Sequence, residues 1–347
     1  MKKFAQGIKV VIFLSIGVGI LYWMYLNSAA SYVEYCKTEG ISEENCNLLT
    51  KLKQDFLDTD KTYVFISILL FILTNIIRAN RWNQLLTPLG YQTSFFNRFA
   101  SINVGYLLNL TIPRSGEFVR AGIISKYENV KFEEGFGTIV TERVVDFVCL
   151  LIALLLGITF QGQVILDYVA TNSFLARENI ISSTAIYLFT GFVLITLGFL
   201  IYFRKRLIKT AFFQKILQFL KGLWAGFISI RNLKNPIWFI IQSLAIWVLY
   251  YLMTYVMFFA FEATSHLSAE SALTTFLFGS LGMVFPSPGG MGSYHFLIQE
   301  ALLIYGVPLT ETFSFANIIF FTIQIFGIIL LGLVSLIYLP MRNPKKS

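Results

Sequence analysis

The chain has 347 residues, of which 56% are hydrophobic, 16% aromatic and only 13% charged, with a mean hydropathy of +0.68. A soluble domain carries about 25% charged residues and seldom strings twenty apolar residues together, so these values exclude a water-soluble protein and leave no room for a large soluble catalytic domain. Lys and Arg number 27 against 19 acids, but the excess is local: Arg204 to Lys234 holds eight basic residues and no acid, whereas Asn235 to Met341 holds no Lys or Arg, which puts the first stretch inside and the loops of the second outside.

The first apolar segment, about Gln6 to Leu26, follows Lys2 and Lys3 and is too long for a cleaved leader, so residues 1–26 read as a first span with the N-terminus inside. Residues 27–61 form an extracytoplasmic loop richer in acids than bases, and Cys36 and Cys46 lie in it as either a disulfide or two unpaired thiols. Cys149 reads as a small core residue. A second span, Thr62 to Ile77, returns to a basic inner loop with Arg78, Arg81 and Arg98. Residues 99–120 are re-entrant: the apolar piece Phe99 to Ile112 is short, is broken by Asn103, Gly105 and Asn109, and ends in Pro113-Arg114-Ser115-Gly116-Glu117. Further spans cover Gly135 to Phe160, Ile180 to Phe203, Pro236 to Phe261 and Phe313 to Leu339, the last followed by Arg342, Lys345 and Lys346 inside. Between the last two, residues 272–305 hold two short apolar pieces, Ala272 to Phe285 and Phe296 to Tyr305, around Pro286-Ser287-Pro288-Gly289-Gly290-Met291-Gly292.

The fold expected is therefore all-α, a polytopic helical membrane protein in one integral membrane domain (1–347), with about six full spans and two re-entrant half-helix elements, one from each face, arranged as an inverted repeat. Hydropathy and punctuation carry that repeat; the two halves share no sequence identity. Residues 204–234 read as a basic amphipathic helix attracted to anionic lipid at the inner surface, or as a simple topological anchor, and not as a nucleic-acid site.

Ionisable groups inside the apolar segments cost several kcal/mol unless paired and usually mark a polar cavity. Glu142 and Asp146 are four residues apart on one helix face, and Arg143 is placed to pair with Asp146; the alternative is an interfacial salt bridge at a helix end. Arg114, Glu117 and Arg120 follow a broken apolar piece, where Arg forks and free backbone N–H groups beside Gly116 suit a phosphate, or form an ordinary cytoplasmic turn. Pro288 and the glycines cannot continue a helix and make a close approach to a ligand or a partner helix, or only a tight turn. His295 and Glu300 follow that break; a lone His is more often a structural group than a ligand. Zinc spacing, a Ser-His-Asp order and a nucleotide-type phosphate loop are all lacking, so no catalytic residue, metal or cofactor is expected.

The order Asn80-Arg81-Trp82, Pro113-Arg114-Ser115-Gly116-Glu117 with Arg120, Glu142-Arg143 with Asp146, and Pro286-Ser287-Pro288-Gly289-Gly290-Met291-Gly292 resembles the transmembrane region of lysylphosphatidylglycerol synthases, a flippase-like membrane family. The resemblance covers nearly the whole chain. It implies the lipid-translocating part of the fused members and not their C-terminal soluble synthase domain, since the sequence ends at Ser347. Members often carry Glu three residues after the last glycine, where this sequence has His295. It further implies a substrate site made by Arg81, Arg114, Glu117, Arg120, Glu142, Arg143, Asp146, Pro288, Gly289, Gly290, Gly292, His295 and Glu300.

Three functions follow from the sequence. The first is a lipid translocator of the bacterial inner membrane working by alternating access, with Arg114 and Arg120 on phosphate and Glu117, Glu142 and Asp146 on a cationic or hydroxylated headgroup. The second is a membrane enzyme, or a subunit of one, acting on a lipid-linked substrate, and the third is a scaffold. The expected partners are a membrane phospholipid or lipid-linked substrate, and a separate lipid-modifying enzyme; the sequence sets no oligomeric state.

Overall fold

The computed structural model describes residues 2–38, 46–172, 229–285 and 287–343, and among these every regular element is helical. Helix α1 (Lys2–Thr38) has 37 residues, about 55 Å, and so runs through the expected boundary at Leu26. Neither Gly nor Pro occurs between Gly19 and Gly40, so nothing stops the helix at Asn27. Cys36 and Cys46 form a disulfide with Cα atoms 6.1 Å apart. It turns the chain into α2 (Leu48–Asp58), which starts where the Asn47 carboxamide accepts the N–H groups of Leu49 and Thr50. The segment expected as a loop over 27–61 is thus mostly helix.

Helix α3 (Lys61–Leu86) is capped by Asp60, whose carboxylate accepts the Thr62 N–H. It continues nine residues past Ile77, so Arg78 and Arg81 sit on a helix, 2% and 0% exposed, and not in a basic inner loop. Arg98, on α4 (Phe95–Asn109), is buried too; its Nε donates to the Ala79 carbonyl at 2.9 Å and its Nη1 donates to Thr93. The positive-inside pattern misplaced these residues because each guanidinium finds internal acceptors. After α5 (Gly116–Glu128) come α6 (Phe132–Asn172), α7 (Pro236–Phe258), α8 (Ala269–Gly282), α9 (Ser293–Leu303) and α10 (Leu309–Phe320), the last running through a π-helical turn, Phe321–Gly327, into α11 (Ile328–Arg342). The expected span 180–203, residues 204–228 of the basic segment, Pro286, Lys345 and Lys346 lie outside the described residues.

Four helical stretches among the described residues are long and apolar enough to cross a membrane: 61–89, 132–168, 236–258 and 309–342. Two hairpins of shorter helices stand against them. The ends of the α4–α5 hairpin meet where the Glu128 carboxylate accepts from the Ser94 N–H at 3.0 Å and from Asn97 Nδ2 at 2.6 Å. Asn97 also donates to Asn343 at 3.1 Å, so this hairpin opens at the end where α11 finishes. The α8–α9 hairpin opens at the other end: Tyr305 donates to Thr274 at 2.7 Å, while Asp60, at the start of α3, donates its N–H to Ala260, just past α7. At 15 and 11 residues, α4 and α9 fall short of the ~20 needed for a full span.

Close packing fixes the first hairpin. A Cβ on Gly116 would lie 2.7 Å from the Gly105 carbonyl carbon, so only glycine lets α4 and α5 approach this closely. The two largest apolar clusters among the described residues centre on Phe258, Ile298, Phe315 and Ile319 and on Trp82, Ile102, Ile124 and Ile139. The hairpin tips meet: Arg114 Nη2 donates to the Val284 carbonyl at 3.0 Å, and Gly289 packs against Leu110.

Candidate functional site

Beside the meeting tips lies a cavity of about 770 Å³. Its walls are largely aromatic and aliphatic, from Phe71 on α3, Leu110 at the first tip, Phe147 and Leu150 on α6, Met253 on α7 and Phe276 on α8. The charged groups that reach it are Arg78, Arg114, Glu117, Arg143 and Asp146. Tyr106, Asn109, Trp247, Tyr250, Tyr294 and Gln324 add hydrogen-bonding groups.

The floor is an ion-pair network held by three helices. Arg78 and Arg81, three residues apart on α3, face Glu142 and Asp146, four apart on α6, so helical spacing brings four ionised groups to one contact. Arg78 Nη1 donates to Asp146 Oδ2 at 2.9 Å and its Nη2 donates to the Tyr250 hydroxyl at 3.0 Å. Arg81 Nη2 is 2.8 Å from Asp146 Oδ1, an ion pair by distance that lies off the hydrogen-bond direction, and 3.5 Å from Glu142 Oε1. Its Nη1 donates to Ser243 on α7 at 3.1 Å. From α5, Arg120 donates to Glu142 Oε2 at 2.7 Å while its guanidinium lies 4.3 Å over the Trp82 ring. The network ties α5 and α6 to α3, and α3 in turn to α7. Buried ion pairs of this kind give little net stability, because desolvation offsets the attraction, but removing one partner is costly.

Glu142 and Asp146 share a face as their spacing predicts. Arg143 forms its ion pair with Glu117 and not with Asp146, donating to Glu117 Oε1 at 2.7 Å. At the start of α5 the Gly116 N–H donates to Asn109 Oδ1 at 2.7 Å. Arg114 has a φ of +60°, a left-handed conformation rare outside glycine. Backbone strain of this sort collects at functional positions.

Arg114, Glu117, Arg143, Asp146, Gly289 and Gly290 line the cavity; Arg81, Arg120 and Glu142 stand behind its wall. Gly289, Gly290 and Gly292 all have positive φ, at +59°, +81° and +84°, and so shape the second tip together with Pro288. Two residues lie elsewhere. His295 is 1% exposed, with its ring 4.4 Å from that of Phe320 and no hydrogen-bond partner for Nδ1 among the described residues. Glu300 accepts from Tyr168 at 3.2 Å between α6 and α9. Neither is part of the cavity wall.

Arg78, Tyr106, Trp247 and Tyr250 belong to the wall but escaped the sequence reading as site residues. The spacing of Arg78 from Arg81 was a usable signal; the aromatics of α7 offered none in so apolar a helix. Among the described residues, Arg78, Arg81, Arg114, Arg120 and Arg143 stand with Glu117, Glu142 and Asp146 in and behind the cavity, five positive groups to three negative ones. Glu117 Oε2 and Trp247 Nε1 have no hydrogen-bond partner among the described residues.

A family described as "Lysylphosphatidylglycerol synthase TM region" matches residues 48–332. A UPF0104 membrane protein of Methanocaldococcus jannaschii is 34% identical over 101 residues, 28% of this chain and 30% of that protein. The glycosyltransferase AglD of Haloferax volcanii is 29% identical over 106 residues, 30% of this chain and 17% of AglD. A UPF0104 membrane protein of Pyrococcus horikoshii is 27% identical over 115 residues, 31% of this chain and 34% of that protein. The chain thus spans about a third or less of the length of these curated relatives. No solved structure matches.

Proposed function

The chain belongs to the lysylphosphatidylglycerol synthase TM region family, and from that premise we propose that it translocates a phospholipid or related phosphate-bearing lipid across the membrane. The cavity supports this reading more than any other observation. It joins mostly apolar walls to charged groups that, in and behind the cavity, comprise five guanidinium groups and three carboxylates, and an anionic headgroup offsets that excess. Arg114 is the guanidinium best suited to phosphate: it reaches the cavity and has a carbonyl, not a carboxylate, as its hydrogen-bond partner.

In this reading the two hairpins, opening at opposite ends and touching at Arg114 and Val284, part in turn to expose the cavity to either leaflet. The protein then works in the bacterial cytoplasmic membrane with both termini inside, and the Cys36–Cys46 bond on the oxidising side. Basic residues 204–234 meet anionic lipid at the inner surface.

A membrane enzyme acting on a lipid-linked substrate is the second reading. The relative named a glycosyltransferase favours it, as does a carboxylate oxygen of Glu117 left unbonded beside the cavity. Purified protein in vesicles carrying labelled phosphatidylglycerol separates the two. Lipid that reaches the opposite leaflet with unchanged mass supports translocation; lipid of altered mass supports chemistry; neither result refutes both.

A further inference from the structure

Outside the Glu117–Arg143 pair lies a second hollow, of about 270 Å³, between α5 and α6. Apart from that pair its walls are entirely apolar: Phe136, Ile139, Val140, Val144 and Phe147. Glu117, Phe136, Arg143 and Phe147 border both this hollow and the main cavity, so the two are neighbours across a single ion pair and two rings. The outer side is open, with Phe118, Val144 and Phe147 at 54%, 43% and 58% exposed.

We propose that this hollow seats one acyl chain of a diacyl phospholipid whose phosphate occupies the main cavity, and that the Glu117–Arg143 pair is the bar between the head and chain compartments. The inference rests on the lipid reading above and deepens it. A phosphate drawn into the cationic cavity carries hydrocarbon that gains nothing from the charged floor. The apolar surface next to that floor, continuous with it and open towards the surroundings of the helices, is this hollow. An ion pair suits the boundary: side by side, Glu117 and Arg143 neutralise each other towards the chain, while Glu117 Oε2 stays unbonded. Phe118 and Phe136, with ring centroids 4.7 Å apart, stack from α5 to α6 next to the pair.

The test uses the full chain in detergent with two probes, phosphatidylglycerol bearing two oleoyl chains and phosphatidylglycerol bearing two hexanoyl chains. Val140→Trp fills the hollow from a position that does not itself line the main cavity. We expect it to weaken the dioleoyl lipid roughly tenfold or more, the effect of losing burial of a few methylene groups. Binding of the dihexanoyl lipid should stay within roughly twofold of wild type, and Val140→Leu should leave both within that margin. If Val140→Trp fails to fold, Val144→Trp at the exposed rim serves the same purpose. Unchanged dioleoyl binding in a filled hollow overturns the proposal, and so does an equal loss of both probes. Wild-type protein that binds neither probe sinks the lipid reading itself, a result distinct from either of those.

Discussion

Asp146→Asn attacks the network where it is most exposed to loss. The Asp146 carboxylate lies 2.9 Å from Arg78 and 2.8 Å from Arg81 at a residue 8% exposed. The amide keeps the shape and removes the charge. Arg81 then keeps Glu142, at 3.5 Å, as its anionic partner beside Ser243, and Arg78 keeps only neutral acceptors, Tyr250 and the amide oxygen. Breaking a buried pair from one side costs about 3–5 kcal/mol. Because Arg78 keeps the Tyr250 hydroxyl and can still donate to the amide oxygen, the lower end applies, about 3 kcal/mol, or roughly a hundredfold in the folding equilibrium. Denaturant titration of the purified protein in detergent measures the change. The double variant Arg78→Gln/Asp146→Asn supplies the control, since it removes the charge left with neutral acceptors only. It should recover stability relative to Asp146→Asn alone, giving an interaction energy within the roughly 0.5–3 kcal/mol seen for residues in contact. If Asp146→Asn stays within about 0.5 kcal/mol of wild type, or the two changes simply add, the ion pairs are not the floor described here.

Gly116→Ala should cost about 1–3 kcal/mol in the same titration, because its Cβ meets the Gly105 carbonyl carbon at 2.7 Å. Gly122→Ala on the same helix meets nothing within 4 Å and should be neutral or stabilising by up to about 1 kcal/mol. Arg114→Gly should separate stability from function: relief of the left-handed φ of +60° raises stability by up to about 1–2 kcal/mol, while binding of phosphate-bearing lipid weakens; a drop in both would refute the assignment. Cys36→Ser should lower stability by about 2–3 kcal/mol for the loop closed by the bond to Cys46, and reducing agent should lower wild type but not the variant.

The all-helical membrane fold and the two broken elements were legible because both signals are local. Long apolar runs need no partner to be recognised, and Asn109, Pro113 and the glycines around Gly290 interrupt apolar stretches too short to span. The face shared by Glu142 and Asp146 was legible for the same reason, from spacing alone. Pairing across helices was not. Arg78 and Arg81 read as loop charge because a positive-inside count cannot see the carboxylates of α6, which lie more than sixty positions away in the chain. Arg143 was assigned to Asp146 by closeness in sequence, whereas the fold brings Glu117 nearer to it. His295 and Glu300 follow the second tip closely along the chain, yet helix α9 turns the former into the core and carries the latter away towards Tyr168. Helix ends failed where nothing in the sequence marks them, as at Leu26, which is why the first helix outran its expected span.

Native mass spectrometry of the purified chain, released gently from detergent, tests most directly whether the cavity holds a phosphate-bearing lipid. The account predicts a retained phosphate-bearing lipid in wild type, and loss of that species in Arg114→Ala with the protein still folded. A chain that arrives bare, or that carries neutral and phosphate-bearing lipids alike whether or not Arg114 is present, would contradict it.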